Sequence, residues 1–83
     1  MQSDATAQIY PNPVIDLLNL DYEVYSDNAS IIIRDISGRV IENIKLNKQS
    51  NTYQVNTQNY NSGLKILEIR DGDQLITKKF IKL

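Results

Sequence analysis

The sequence predicts an all-β fold, a small antiparallel β-sandwich of six or seven short strands. Three observations carry this. Apolar side chains recur with a period of two in short runs rich in Ile, Val, Leu and Tyr, at a spacing of roughly ten residues. Clusters of Asp, Asn, Ser and Gly punctuate the runs as turn formers do. No stretch shows the 3.6-residue apolar period of an amphipathic helix.

Taken in order, residues 1–8 are small and polar and are expected to be the linker end of a longer protein or a tag remnant. They lack the basic and apolar regions of a secretory signal, so the chain reads as a fragment from the end of a longer protein. Ile9-Tyr10-Pro11-Asn12-Pro13 then gathers both prolines of the chain into three residues. Proline fixes its own φ and biases the preceding residue towards extended backbone, so a stiff, extended approach to the first strand is expected.

That strand runs from about Leu17 to Tyr25. Leu18, Leu20, Tyr22 and Val24 share one apolar face, and Ser26-Asp27-Asn28 ends it. Ser30 to Arg34 is the next strand, and its three consecutive isoleucines suit a central, well-covered position. Asp35-Ile36-Ser37-Gly38 fits a type I turn closed by a left-handed residue and a bulge. Asp35 can accept hydrogen bonds from the turn backbone, and Gly38 supplies a positive φ without steric cost. Arg39 is free to pair with a carboxylate such as Asp16 or Asp35. Arg39 to Leu46 returns as a strand.

After a polar loop, Thr52 to Asn56 alternates with Tyr53 and Val55 inward. Thr57 to Gly63 is a turn-rich crossing anchored by Tyr60. Leu64 to Arg70 is a strand with Lys65, Leu67 and Ile69 on one face. Asp71-Gly72 signals a two-residue hairpin, and Gln74 to Leu83 closes the fold. Short strands at this spacing point to an immunoglobulin-like sandwich.

Composition limits the chemistry. The chain has 83 residues, no Cys and no His. A domain of this size buries only about 60% of its unfolded surface or a little more, so its stability is modest. Without Cys there are no disulfides or thiolate metal sites, and without His the commonest acid-base group near neutral pH is missing. The formal charge of −1 disfavours nucleic-acid binding. No apolar run approaches the length of a membrane helix, so direct membrane insertion is not expected. A glycosidase pair can be drawn from the ten acidic residues, but none has a setting that would shift its pKa. Asp71-Gly72-Asp73 matches part of a calcium loop without the further ligands it needs, and a hairpin explains it. Asn28-Ala29-Ser30 matches a glycosylation acceptor by chance. No catalytic residue, metal or cofactor is assigned.

Several motifs nonetheless fall into one known order. They are Tyr10-Pro11-Asn12-Pro13, then Asp35-Ile36-Ser37-Gly38-Arg39-Val40, then Tyr60-Asn61-Ser62-Gly63, and finally Lys79-Phe80-Ile81-Lys82. Over residues 9–83 the chain resembles the C-terminal sorting domain, type A, of cargo proteins of the type IX secretion system. Two positions depart from the family pattern. Arg34 stands where an aromatic or aliphatic residue is common, and Lys65 where Tyr is typical. Both are expected to bury their stems and hold the charge at the rim.

The resemblance implies an address signal without chemistry of its own, joined covalently to an N-terminal passenger. Its implied partners are the outer-membrane type IX translocon and a sortase-like cell-surface protease that removes it on surface attachment or release. The implied location is secreted or at the cell surface after a periplasmic passage, in a Gram-negative bacterium of the Bacteroidota type. Candidate recognition residues are Pro11, Asn12, Pro13, Asp35, Gly38, Arg39, Gly63, Lys78, Lys79, Phe80 and Lys82. Lys78, Lys79 and Lys82 form a basic finish that either protects an edge strand or marks it for a partner, which could pair with its free backbone groups. The rival reading is an immunoglobulin-like accessory module that binds carbohydrate or a protein partner. Against it stands a poor stock of aromatic side chains, five Tyr, one Phe and no Trp.

Overall fold

The computed structural model describes residues 4–83. Seven strands follow one another: β1 (Thr6–Tyr10), β2 (Leu17–Glu23), β3 (Ser30–Asp35), β4 (Val40–Lys45), β5 (Thr52–Asn56), β6 (Gly63–Asp71) and β7 (Gln74–Lys82). They form two antiparallel sheets, one of order β1-β2-β5 and one of order β4-β3-β6-β7. The architecture is the expected small, immunoglobulin-like sandwich.

The period of two in each strand becomes a two-sided layer. Leu18, Leu20 and Tyr22 of β2 are buried, as are Ile31 and Ile33 of β3, Leu67 and Ile69 of β6 and Phe80 of β7. Burying each such side chain contributes about 1.5–3 kcal/mol. The isoleucine run does occupy a central strand, since β3 pairs with β4 on one side and β6 on the other. Tyr60 anchors its crossing as expected, packing against the core while its hydroxyl donates to Glu42. Burial, and then that hydrogen bond, push the hydroxyl pKa well above its ordinary value.

The Asp35 turn has the expected design. Gly38 lies at φ +90°, and the β3–β4 register shifts at Ile33/Arg34. One Asp35 oxygen accepts from Ser37 N at 3.0 Å, Ser37 Oγ at 2.6 Å and Arg39 N at 3.0 Å. The other accepts from Arg39 Nε at 3.1 Å, so Asp35 is the carboxylate that Arg39 finds.

Several expectations are corrected. Thr6 to Gln8, read as linker, pair with Glu23, Tyr22 and Asp21 as part of β1; residues 1–3 of that stretch lie outside the described ones. Their pattern of Thr, Ala and Gln is too small and polar to signal a strand, which instead forms by pairing with β2 and packing Ala7 and Ile9 on the core. The prolines therefore follow a strand rather than introduce the first one. Tyr53 shares Leu20's face but remains 38% exposed, because β5 is an edge strand with nothing beyond it to cover the ring. The hairpin loop is Gly72-Asp73, one residue later than read, with Gly72 at φ +60° and Asp71 paired to Gln74.

Asp71 is thereby freed for another task. Its buried carboxylate accepts from Tyr25 N at 2.9 Å and Ser26 N at 2.6 Å, tying the β2–β3 connection to the hairpin.

Candidate functional site

The sequence motifs that lie far apart in the chain converge on one end of the four-stranded sheet. Asp35 at the end of β3 stands opposite Lys65 of β6, and Lys65 stands opposite Phe80 of β7. Two residues further along, Gly63 pairs with Lys82. The Asp35–Arg39 turn, Gly63 and the last residues of β7 thus share that end. Gly63 sits at φ +125°, a conformation that side-chain-bearing residues rarely adopt, so it is fixed by backbone geometry.

The Pro11–Asn12–Pro13 segment reaches the same place by crossing from the other sheet. After β1 the chain leaves its sheet, runs along the free edge of β7, and returns at β2. Pro11, Asn12 and Pro13 are exposed, but Val14 is fully buried and forms a parallel bridge to Lys82. Val14 N donates to Ile81 O at 2.9 Å, and Leu83 N donates to Val14 O at 2.9 Å. The Asn12 side chain continues the ladder. Its Nδ2 donates to Lys79 O at 3.3 Å, and its Oδ1 accepts from Ile81 N at 2.9 Å. A side-chain amide matches a backbone amide in donor and acceptor, which is why Asn can stand in for a strand residue here.

This strap changes the meaning of the basic finish. An unpaired edge at Lys79–Leu83 was expected, but the strap occupies four of its outward backbone groups: Lys79 O, Ile81 N, Ile81 O and Leu83 N. A partner strand cannot pair there while the strap is in place. The three lysines also part company. Lys82, 6% exposed, points inward and its ammonium donates to Ile15 O; Lys78 is half-buried on the same face, and of the three only Lys79 is exposed. Alternation along β7 decides this, since Lys78 and Lys82 share the inward face with Phe80, which is fully buried.

The two positions that depart from the family pattern also resolve. Lys65 does not hold its charge at the rim as expected: the inward register of β6 carries it onto the inner face, where it is 4% exposed. Arg34 lies on the outer face, where its Nε meets Glu68 Oε1 at 3.0 Å and its Nη1 donates to Gly38 O at 3.1 Å. Contrary to the expectation that no acidic residue sits where its pKa would shift, the hydrogen bonds from Ser37, and then from the Arg39 and Ser37 backbone with the Arg39 charge, hold the Asp35 carboxyl below its ordinary pKa.

Sequence reasoning missed Val14, Asp71 and the inward course of Lys82. Only the buried alternation of β7 offered a signal for Lys82, and the motif's charge pattern masked it. Among the described residues no group of three or more His, Cys, Asp and Glu could hold a metal ion, and no helix is long and apolar enough to cross a membrane. The arrangement offers shape, charge and a sealed strand edge.

Residues 8–83 match the family model described as the secretion system C-terminal sorting domain. No curated protein matches the chain.

Proposed function

The chain belongs to the secretion-system C-terminal sorting domain family, and from that premise we propose where and how it is read. The family is the C-terminal sorting signal of the type IX secretion system and is not an enzyme family. Such a signal implies a cargo passenger, the secretion machinery and a secreted or cell-surface destination. The rival reading as a carbohydrate- or protein-binding accessory module is not favoured.

The finer reading is ours. The domain acts without catalysis, its outer-membrane translocon reads the strapped end of the four-stranded sheet, and a sortase-like cell-surface protease then removes it. The passenger precedes Thr6, the first paired residue, and the bacterium is of the Bacteroidota type. The recognition set is Pro11, Asn12, Pro13, Asp35, Gly38, Arg39, Gly63, Lys78, Lys79, Phe80 and Lys82. Within it, the buried Phe80 and Lys82 act by shaping the strand, while Lys79 and Arg39 meet the partner.

One observation supports this most. Motifs from four separate stretches of chain assemble at one end of one sheet, with the strap bonded to the last strand. The test is a reporter with a signal peptide fused ahead of this chain in a host with a type IX system. Surface or medium localisation is expected, with loss on removal of Lys79–Leu83. Periplasmic retention of the intact fusion, beside a validated sorting domain that is exported, overturns the reading.

A further inference from the structure

The strap leaves the terminal strand little backbone to offer at Lys79–Leu83, and the inward side chains of β7 are occupied by the core. What this strand still offers a partner is its outward side chains, which lie on the outer face of the four-stranded sheet. Its register places Arg34, Lys45, Arg70 and Lys79 on that face, with Glu68 as the only carboxylate. Glu68 is already taken by Arg34 at 3.0 Å. Four cations thus face one carboxylate that is already paired. Among the described residues Lys45, Arg70 and Lys79 form no ion pair on that face, although Lys45 also feels Asp27 at the β2–β3 connection. Between them lie aliphatic side chains, Leu64 and Ile66 half-buried, Leu75 53% exposed and Ile81 45% exposed.

The opposite outer face is built differently. There β2 presents Asn19, Asp21 and Glu23, and β1 and β5 add Gln8, Gln54 and Thr52, with no cation. Stacked sheets lie about 10 Å apart, so the formal charge of −1 conceals a molecule with one cationic and one acidic side. Such a separation orients an approaching partner and selects its sign.

We infer that recognition extends from the strapped end across this cationic, aliphatic sheet face, from Arg34 and Lys79 to Lys45 and Arg70, and that its occupant is a protein surface with acidic residues around an apolar centre. The inference rests on the sorting reading above and names its partner's chemistry. The face suits a protein better than a lipid surface. Its apolar side chains are aliphatic, with no aromatic residue to insert at a headgroup boundary. A second copy fits poorly, because although Leu17 and Tyr10 are exposed on the acidic side, its two carboxylates are already engaged within the domain, Asp21 by the Tyr10 hydroxyl and Glu23 by the Tyr25 hydroxyl.

The test compares the wild-type fusion with Arg70→Glu/Lys79→Glu and with Arg70→Lys/Lys79→Arg, scoring exported reporter. Circular dichroism and Tm follow each purified domain. The charge-reversed pair is expected to lose export by at least about tenfold while folding as wild type, and the conservative pair to retain it. If charge reversal destabilises the sheet, Arg70→Gln/Lys79→Gln takes its place, with a smaller loss in the same direction. Unchanged export by a folded, charge-reversed domain overturns the inference and leaves the sorting function intact. An intact fusion that is never exported overturns the sorting reading itself. Two further results overturn the assigned occupant: wild-type flotation with phosphatidylglycerol vesicles lost on reversal, or wild-type self-association lost on reversal.

Discussion

Replacing Asn12 with Ala removes the side chain that spans Lys79 O and Ile81 N while leaving the Val14 bridge in place. A net intramolecular hydrogen bond contributes about 0.5–1.5 kcal/mol. The bond at 3.3 Å is at the long end and contributes less than the one at 2.9 Å. The expected loss is therefore about 1–2 kcal/mol in total. Against a stability of about 4–12 kcal/mol for a domain of this length, this is a substantial fraction. It corresponds to a fall in Tm of about 5–15 °C. Thermal unfolding by circular dichroism measures the loss, and amide hydrogen exchange locates it. The Ile81 amide should lose protection, while the Leu83 amide, which donates to Val14 O, keeps a larger share of its own. Asn12→Asp should not rescue the strap, since it turns a lone pair onto the Lys79 carbonyl. An unchanged Tm together with a still-protected Ile81 amide refutes the idea that Asn12 seals this edge.

Four other substitutions test the remaining architecture. Phe80→Ala should cost about 3–5 kcal/mol, enough to leave much of the domain unfolded at moderate temperature, whereas Lys79→Ala should stay within about 0.5 kcal/mol; chemical denaturation separates them. Asp71→Ala strands the Tyr25 and Ser26 amides in a part-buried site and should cost about 2–4 kcal/mol, with their exchange rates rising first. Asp35 has a folded pKa below its ordinary 3.8, so its contribution is full above that value and is lost as pH falls through the lower folded value. The Tm difference between wild type and Asp35→Asn should therefore shrink on acidification below about pH 4. A difference that stays constant down to pH 2 contradicts the assigned role of the carboxylate.

The elements most legible in the sequence are those whose causes are local. The Asp35–Gly38 turn needs only a carboxylate and a glycine three residues apart, and the structure builds it with bonds that span two to four residues. The apolar alternation of β2 and β6 likewise announced its buried face, because the pleat alone sets which side chains share a side. The Tyr-Pro-Asn-Pro motif, in company with Asp35–Arg39, Gly63 and Lys79–Lys82, was enough to place the chain in its family.

The candidate site was legible as a set of residues and illegible as an arrangement. Asn12 stood out, yet its work is done on a backbone amide 69 positions later, and nothing in its neighbourhood states that address. Asp71 looked like a turn residue and is a clamp on a loop 45–46 positions earlier. Lys82 looked like a solvated charge, until its register opposite Gly63 turned it inward beneath the strap. Thus the chain's own periodicity and turn chemistry determined a small sandwich, six of its seven strands and the Asp35–Gly38 hairpin. Only tertiary packing decided which strand edge is sealed, which lysine remains in solvent and which sheet face is cationic, because each depends on pairing between residues that local sequence cannot bring together.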